Sequence, residues 1–168
     1  MSRNAVSHAV SGAICVMAGV TIALTATGLT APSHPPSSPV QYLRPQGSKA
    51  PFSAAVRVEN VLYLSGQIGA GPDGRLPPAF ADQARQTMEN VKKTLTDAGS
   101  SFNDVFKCTV MLTDMSHWDD FNKIYVTYFA PERLPARSAI GANGLARGAM
   151  VELECTAYNP RPQTASTR

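Results

Sequence analysis

Read for hydrophobic spacing alone, the chain changes character twice before it settles. From Ala9 to Leu29 apolar and small residues run almost unbroken, with Ile14, Val16, Met17, Val20, Ile22 and Leu24 inside the run and Arg3 the sole charge ahead of it. From residue 29 to about 50 no period survives, and Pro32, Pro35, Pro36 and Pro39 sit among serines, the composition of a linker. From Pro51 onward ordered periods appear. Ala54–Val58 and Val61–Ser65 are β-like runs joined at Glu59-Asn60 as a hairpin. Gly66, Gly69, Gly71 and Gly74, with Pro72, Pro77 and Pro78, then predict a turn-rich excursion.

Phe80, Ala84, Met88, Val91 and Leu95 recur at three and four residues, which predicts a helix from Phe80 to Ala98 with one face toward a core. Asp82 in its first turn suits the helix dipole, and Gly99 stops it. Val105–Thr113 reads as a buried strand. Ser116 and Asp119 resemble a capping box for a second helix carrying Trp118, Phe121, Ile124, Tyr125 and Tyr128, which Pro131 ends. Two strands close the pattern, Ala136–Ile140 and Ala149–Tyr158, and residues 161–168 form a polar tail that reads as disordered. The order ββ, α, β, α, ββ predicts an α+β domain over residues 51–160: a single mixed sheet with two helices on one face.

The N-terminal run has the layout of a secretory signal peptide over residues 1–28, with Ala26-Thr27-Gly28 offering small residues for cleavage after Gly28. An uncleaved membrane anchor is the rival reading. Either way the expected membrane contact is this segment alone, and the protein is expected to be exported, periplasmic or secreted. Removing residues 1–28 takes away Arg3, so the formal charge falls from +3 to 3 − 1 = +2. A weak charge without a basic block argues against nucleic acid as the partner. Cys108 and Cys155 remain, and they read first as two buried thiols on strands; pairing is the alternative open to an exported protein.

The usual catalytic sets are missing from the sequence. His8, His34 and His117 are too scattered for a metal site, and no glycine-rich phosphate loop or nucleophile elbow occurs. What stands out is charge inside apolar strands. Arg137 lies in Leu134-Pro135-Ala136-Arg137-Ser138-Ala139-Ile140, a segment otherwise suited to burial, and Glu152 and Glu154 lie in Met150–Cys155. Alternation puts both glutamates on one face and Val151, Leu153 and Cys155 on the other. These charges read either as a solvent-facing side or sheet-pinning ion pair, or as a site in which Arg137 clamps a carboxylate and a neighbouring glutamate handles a proton.

Several segments, taken in order, resemble the RidA/YjgF family: Pro51-Phe52-Ser53, Leu64-Ser65-Gly66-Gln67-Ile68, Gln83–Gln86, Glu89–Lys92, Ala98–Ser101, Lys107–Val110, Asp114-Met115, Phe121-Asn122, Pro135-Ala136-Arg137-Ser138 and Val151–Glu154. The resemblance implies a chorismate-mutase-like fold assembled as a homotrimer, with sites in the clefts between subunits. It implies hydrolysis of small, carboxylate-bearing enamines and imines to 2-oxo acids and ammonia, with no cofactor and no metal. It places the carboxylate clamp on Arg137, the water-positioning glutamate on Glu152, and substrate contacts on Phe52, Ser65, Gly66, Asn122 and Ala139. Phe52 stands where the family has tyrosine, and Ala139 where it often has cysteine. A non-catalytic acid binder or chaperone-like protein of the same fold is the competing expectation.

Overall fold

A computed structural model of the chain describes residues 39–160. The expected signal peptide, the start of the linker and the polar tail lie outside the described residues. Strand β7 (Val151–Tyr158) organises what is described. Val151, Leu153, Cys155 and Ala157 are buried, while Glu152, Glu154, Thr156 and Tyr158 face the other way. On one side β7 pairs antiparallel with β3 (Val61–Leu64) and, further along, with β4 (Gln67–Ile68); on the other it pairs antiparallel with β5 (Val105–Leu112). Strand β3 continues to β2 (Ala55–Val58) and β1 (Val40–Leu43), and β5 pairs in parallel with β6 (Ala136–Gly141). The result is one mixed sheet in the order β1-β2-β3-β7-β5-β6, with β4 beside β7.

Both helices pack on one face, as the pattern predicts. Helix α1 (Phe80–Asp97) buries Phe80, Ala84, Met88, Val91 and Leu95 against the sheet. It ends where Gly99 takes φ +70, a left-handed geometry that glycine adopts without steric cost, and Ser100 N–H donates to Leu95 O at 2.8 Å. Helix α2 (Trp118–Tyr125) connects β5 to β6 and buries Phe121, Ile124 and Tyr125. Its approach is capped differently from expectation: the Asp114 carboxylate, not Ser116, accepts an N–H, that of Ser116 at 2.8 Å. The opposite face of the sheet is uncovered and leaves Tyr63, Tyr158, Val58 and Ile140 exposed.

Two strands escape the sequence pattern. Strand β1 lies within the expected linker, because an edge strand of four residues with an exposed centre carries no readable alternation and is held by pairing with β2. Strand β4 lies within the glycine-rich excursion, where two residues are too few for a period. The cysteines also depart from the favoured reading. Cys108 and Cys155 are register partners on β5 and β7, with Cα atoms 4.1 Å apart, and they form a disulfide. Two buried thiols placed directly opposite on adjacent strands are within bonding reach.

The bond closes 47 residues of chain that include all of α2 and β6. Reducing it is expected to cost about 2–4 kcal/mol and to lower the melting temperature by roughly 10 °C. Calorimetry with and without excess thiol measures this, and an unchanged melting temperature contradicts it.

Candidate functional site

Arg137 owes its surroundings to register. It pairs with Cys108 on β5, whose side chain is buried on the helix face, so Arg137 also points toward the helices. There α2 presents Trp118, Phe121, Asn122 and Tyr125, spaced three, four and seven residues apart and therefore on one helical face. Arg137 Nη2 donates to Asn122 Oδ1 at 2.5 Å. Its guanidinium carbon lies over the rings of Tyr125 (4.5 Å to the centroid), Trp118 (4.6 Å) and Phe121 (5.7 Å). No carboxylate among the described residues forms an ion pair with it.

Desolvation accordingly pulls the Arg137 pKa below its ordinary value, with Tyr125 opposing. Burial pushes the Tyr125 hydroxyl up to about 12, with Arg137 opposing, and that hydroxyl has no hydrogen-bond partner among the described residues. A cavity of about 320 Å³ opens beside this group, lined by Asn122, Tyr125, Val126, Leu134, Pro135 and Arg137. Ala139, two residues on, shares the face and packs against the core. The rest of β6 is less buried than its composition suggests, because it is the sheet's edge strand.

Glu152 belongs to a second cluster. Four residue steps from Tyr63 to Gln67 face three from Thr156 to Leu153, so Ser65-Gly66 is a bulge between β3 and β4. The bulge brings Gly66 against Glu152: a Cβ on residue 66 would lie 1.9 Å from Glu152 Oε1. Glycine leaves room for the Glu152 carboxyl here by its size, not by its backbone angle. The half-buried Glu152 carboxyl has a pKa raised above its ordinary value, first by burial and then by the negative charge of Glu154. Ser65 Oγ donates to Ser53 O at 2.7 Å and Ser65 N–H to Ala54 O at 3.0 Å, which ties the bulge to the segment holding the exposed Phe52.

The predicted residues thus assemble as two groups: Arg137, Asn122 and Ala139 in one, and Glu152, Gly66, Ser65 and Phe52 in the other. They are not neighbours within the chain, as the sequence reading expected of Arg137 and its glutamate. Arg137 shares a row with Cys108 and Cys155 on the helix face, whereas Glu152 shares one with Met111 and Ile140 on the uncovered face. Alternation along a parallel and an antiparallel neighbour decides this, and β5–β6 register is not visible in sequence. The sequence reading placed Trp118 and Tyr125 on the second helix but did not connect them with Arg137, although Asn122 set between them at helical spacing was a signal that this face meets something polar. A larger cavity of about 580 Å³ between β1 and the end of α1 contains none of the predicted residues.

Known proteins resemble this chain in sequence and in fold. The family model described as endoribonuclease L-PSP matches residues 44–159. The 2-iminobutanoate/2-iminopropanoate deaminase of Mus musculus is 43% identical over 109 residues, 64% of this chain and 80% of that protein. Its Homo sapiens namesake is 38% identical over 122 residues, 71% of this chain and 88% of that protein. Among solved structures, RidA from an Antarctic Psychrobacter aligns with TM-score 0.63 at 36% identity, over 71% of this chain and 98% of its own. The YjgF gene product of E. coli aligns with TM-score 0.65 at 30% identity, over 70% and 98%.

Gly66→Ala is expected to fold, because the atom it displaces is the far end of a flexible side chain, at a cost of about 1 kcal/mol or less. The Glu152 carboxylate must then swing away from its half-buried position, and its pKa should fall toward the ordinary value. Carbon-detected NMR titration of Glu152 reads this; an unmoved pKa rules the contact out.

Proposed function

The chain belongs to the endoribonuclease L-PSP family, the family of RidA and YjgF, and from that membership we propose that it hydrolyses a small imine or enamine carboxylate to a 2-oxo acid and ammonia. The observation that carries the proposal is Arg137: a desolvated cation beside a cavity, with one nitrogen held by Asn122 and no anion paired with it among the described residues. A planar guanidinium in that state is a receptor for a carboxylate, with each charged hydrogen bond contributing about 1.5–3 kcal/mol. The 2-iminobutanoate/2-iminopropanoate deaminases among its relatives act on acids of that kind by name.

In this reading the two clusters meet across an interface between copies. Arg137 of one subunit and Glu152 of another face a common cleft, and the uncovered sheet face with Tyr63, Tyr158, Val58 and Ile140 is the apolar surface that closes a homotrimer. The clamp fixes the acid, and Glu152 positions water against the imine carbon and accepts its proton. An enamine first takes a proton on carbon and loses one from nitrogen to become the imine. The water oxygen then bonds to C2 as the C=N π pair moves to nitrogen and takes the proton that Glu152 relays. The hydroxyl proton of the resulting carbinolamine follows to nitrogen as the C–N bond breaks and C2=O forms, releasing ammonia and the 2-oxo acid. The imine is already electrophilic, so orientation and one proton acceptor suffice and no cofactor enters. Export is part of the proposal; the disulfide supports it, because such bonds persist in oxidising compartments.

The deciding experiment generates an imino acid with an amino-acid oxidase beside the protein and measures ammonia release. Arg137→Ala should lose at least about 100-fold in kcat/KM while the melting temperature holds, and Arg137→Lys should be nearly as poor, lacking the two-pronged geometry. Glu152→Gln should still bind acid but turn over slowly; an equal rate would remove Glu152 from the mechanism, and acid binding without ammonia release by the parent protein would favour a passive binder. A folded Arg137→Ala variant with full activity ends the proposal.

The pH dependence is a separate test. Glu152 works ionised, so activity falls as pH drops through its raised pKa, and the acid limb lies above the ordinary glutamate value of about 4.3. Glu154→Gln removes a negative neighbour and should shift that limb to lower pH; a shift upward, or none, contradicts the assignment.

A further inference from the structure

A half-buried cation ordinarily needs an anion, and an anion would occupy the donors a substrate has to use. Arg137 resolves this conflict by the kind of partner it has. Its five N–H groups are the donors a carboxylate would use. Attraction to an aromatic ring acts through the negative face of the ring, within about 6 Å, and brings no charged oxygen to compete for those donors. The guanidinium carbon is over Tyr125 at 4.5 Å and over Trp118 at 4.6 Å, with Phe121 further off at 5.7 Å. Asn122 Oδ1 takes one in-plane N–H at 2.5 Å.

We propose that Trp118 and Tyr125 are positioning residues that stand in for a counter-ion, supporting the charge of Arg137 through their ring faces and leaving its remaining N–H donors for the substrate carboxylate. This rests on the reading of Arg137 as a carboxylate clamp. Asn122 holds one nitrogen of the guanidinium by its hydrogen bond. Helix α2 supplies all three from one face, so the clamp is oriented by a single rigid element. The hydroxyl of Tyr125 takes no part: it is buried and unpartnered among the described residues, so only the ring is needed.

The test uses the full chain and two probes, 2-oxobutanoate and its uncharged amide, with binding followed by calorimetry and turnover by ammonia release. Trp118→Leu is expected to weaken 2-oxobutanoate binding and raise KM by about tenfold, to change kcat by less than about threefold, and to leave amide binding unchanged. Trp118→Phe and Tyr125→Phe, which keep a ring face, should bind the acid within about threefold of the parent protein. Equal losses for acid and amide would overturn the inference, because the rings would then only shape the pocket. So would a folded Trp118→Leu variant with unchanged acid binding. Arg137→Ala is the control that separates the two claims: if it binds 2-oxobutanoate as well as the parent, the clamp itself is wrong and this inference falls with it.

Discussion

The strict two-sidedness of β7 is the constraint on which the rest depends. Val151, Leu153, Cys155 and Ala157 must be buried, and the same pleat then forces Glu152 onto the uncovered face. Strands β3, β4 and β5 are bonded to β7 directly and β6 through β5, so the facing of every strand-borne site residue is inherited from it. Arg137 sits toward α2 because it is level with Cys108, which is level with Cys155. A one-residue slip anywhere in this chain of registers would exchange the two faces. The disulfide at that level joins β5 to β7 covalently and secures the register at the row that contains Arg137.

Dividing the chemistry between the two faces has an electrostatic effect. If Arg137 and Glu152 shared a face in one chain, they would form an ion pair, which would satisfy the arginine and hold the glutamate ionised at low pH. Kept apart within the chain, each is without an ion-pair partner among the described residues and each has its pKa displaced by burial toward the uncharged form, downward for Arg137 and upward for Glu152. The fold sustains this condition by contacts that do not neutralise them: ring faces and an amide oxygen for one, a glycine-sized space for the other.

Much of this was legible in the sequence, for identifiable reasons. The α1 stripe, the burial alternation of β7 and the sheet class followed from spacing, since long amphipathic segments announce themselves. Arg137 and Glu152 were visible as charges in apolar strands, and their grouping with Ser65, Gly66 and Asn122 came from resemblance. Strand β1 was hidden because its four residues are placed by pairing and not by pattern. The opposite facing of Arg137 and Glu152 was hidden because it depends on how β6 registers with β5, a relation between segments far apart in the chain. Trp118 and Tyr125 were visible on the second helix but not as neighbours of Arg137, for a helix stripe looks the same whether it meets leucines or a guanidinium.

The cysteine pairing has a consequence for reactivity. Of the three cysteines in the chain, Cys108 and Cys155 are spent on each other and buried, and the third, Cys15, stands in the N-terminal segment. Ala139, on the same face as Arg137, offers a methyl group to the site where a thiol would be open to sulfenic acid formation, alkylation or capture by soft metal ions. From residue 16 onward, then, the chain has no free sulfhydryl. Peroxide, hypochlorous acid and mercurials therefore have no free thiol to attack beside the arginine.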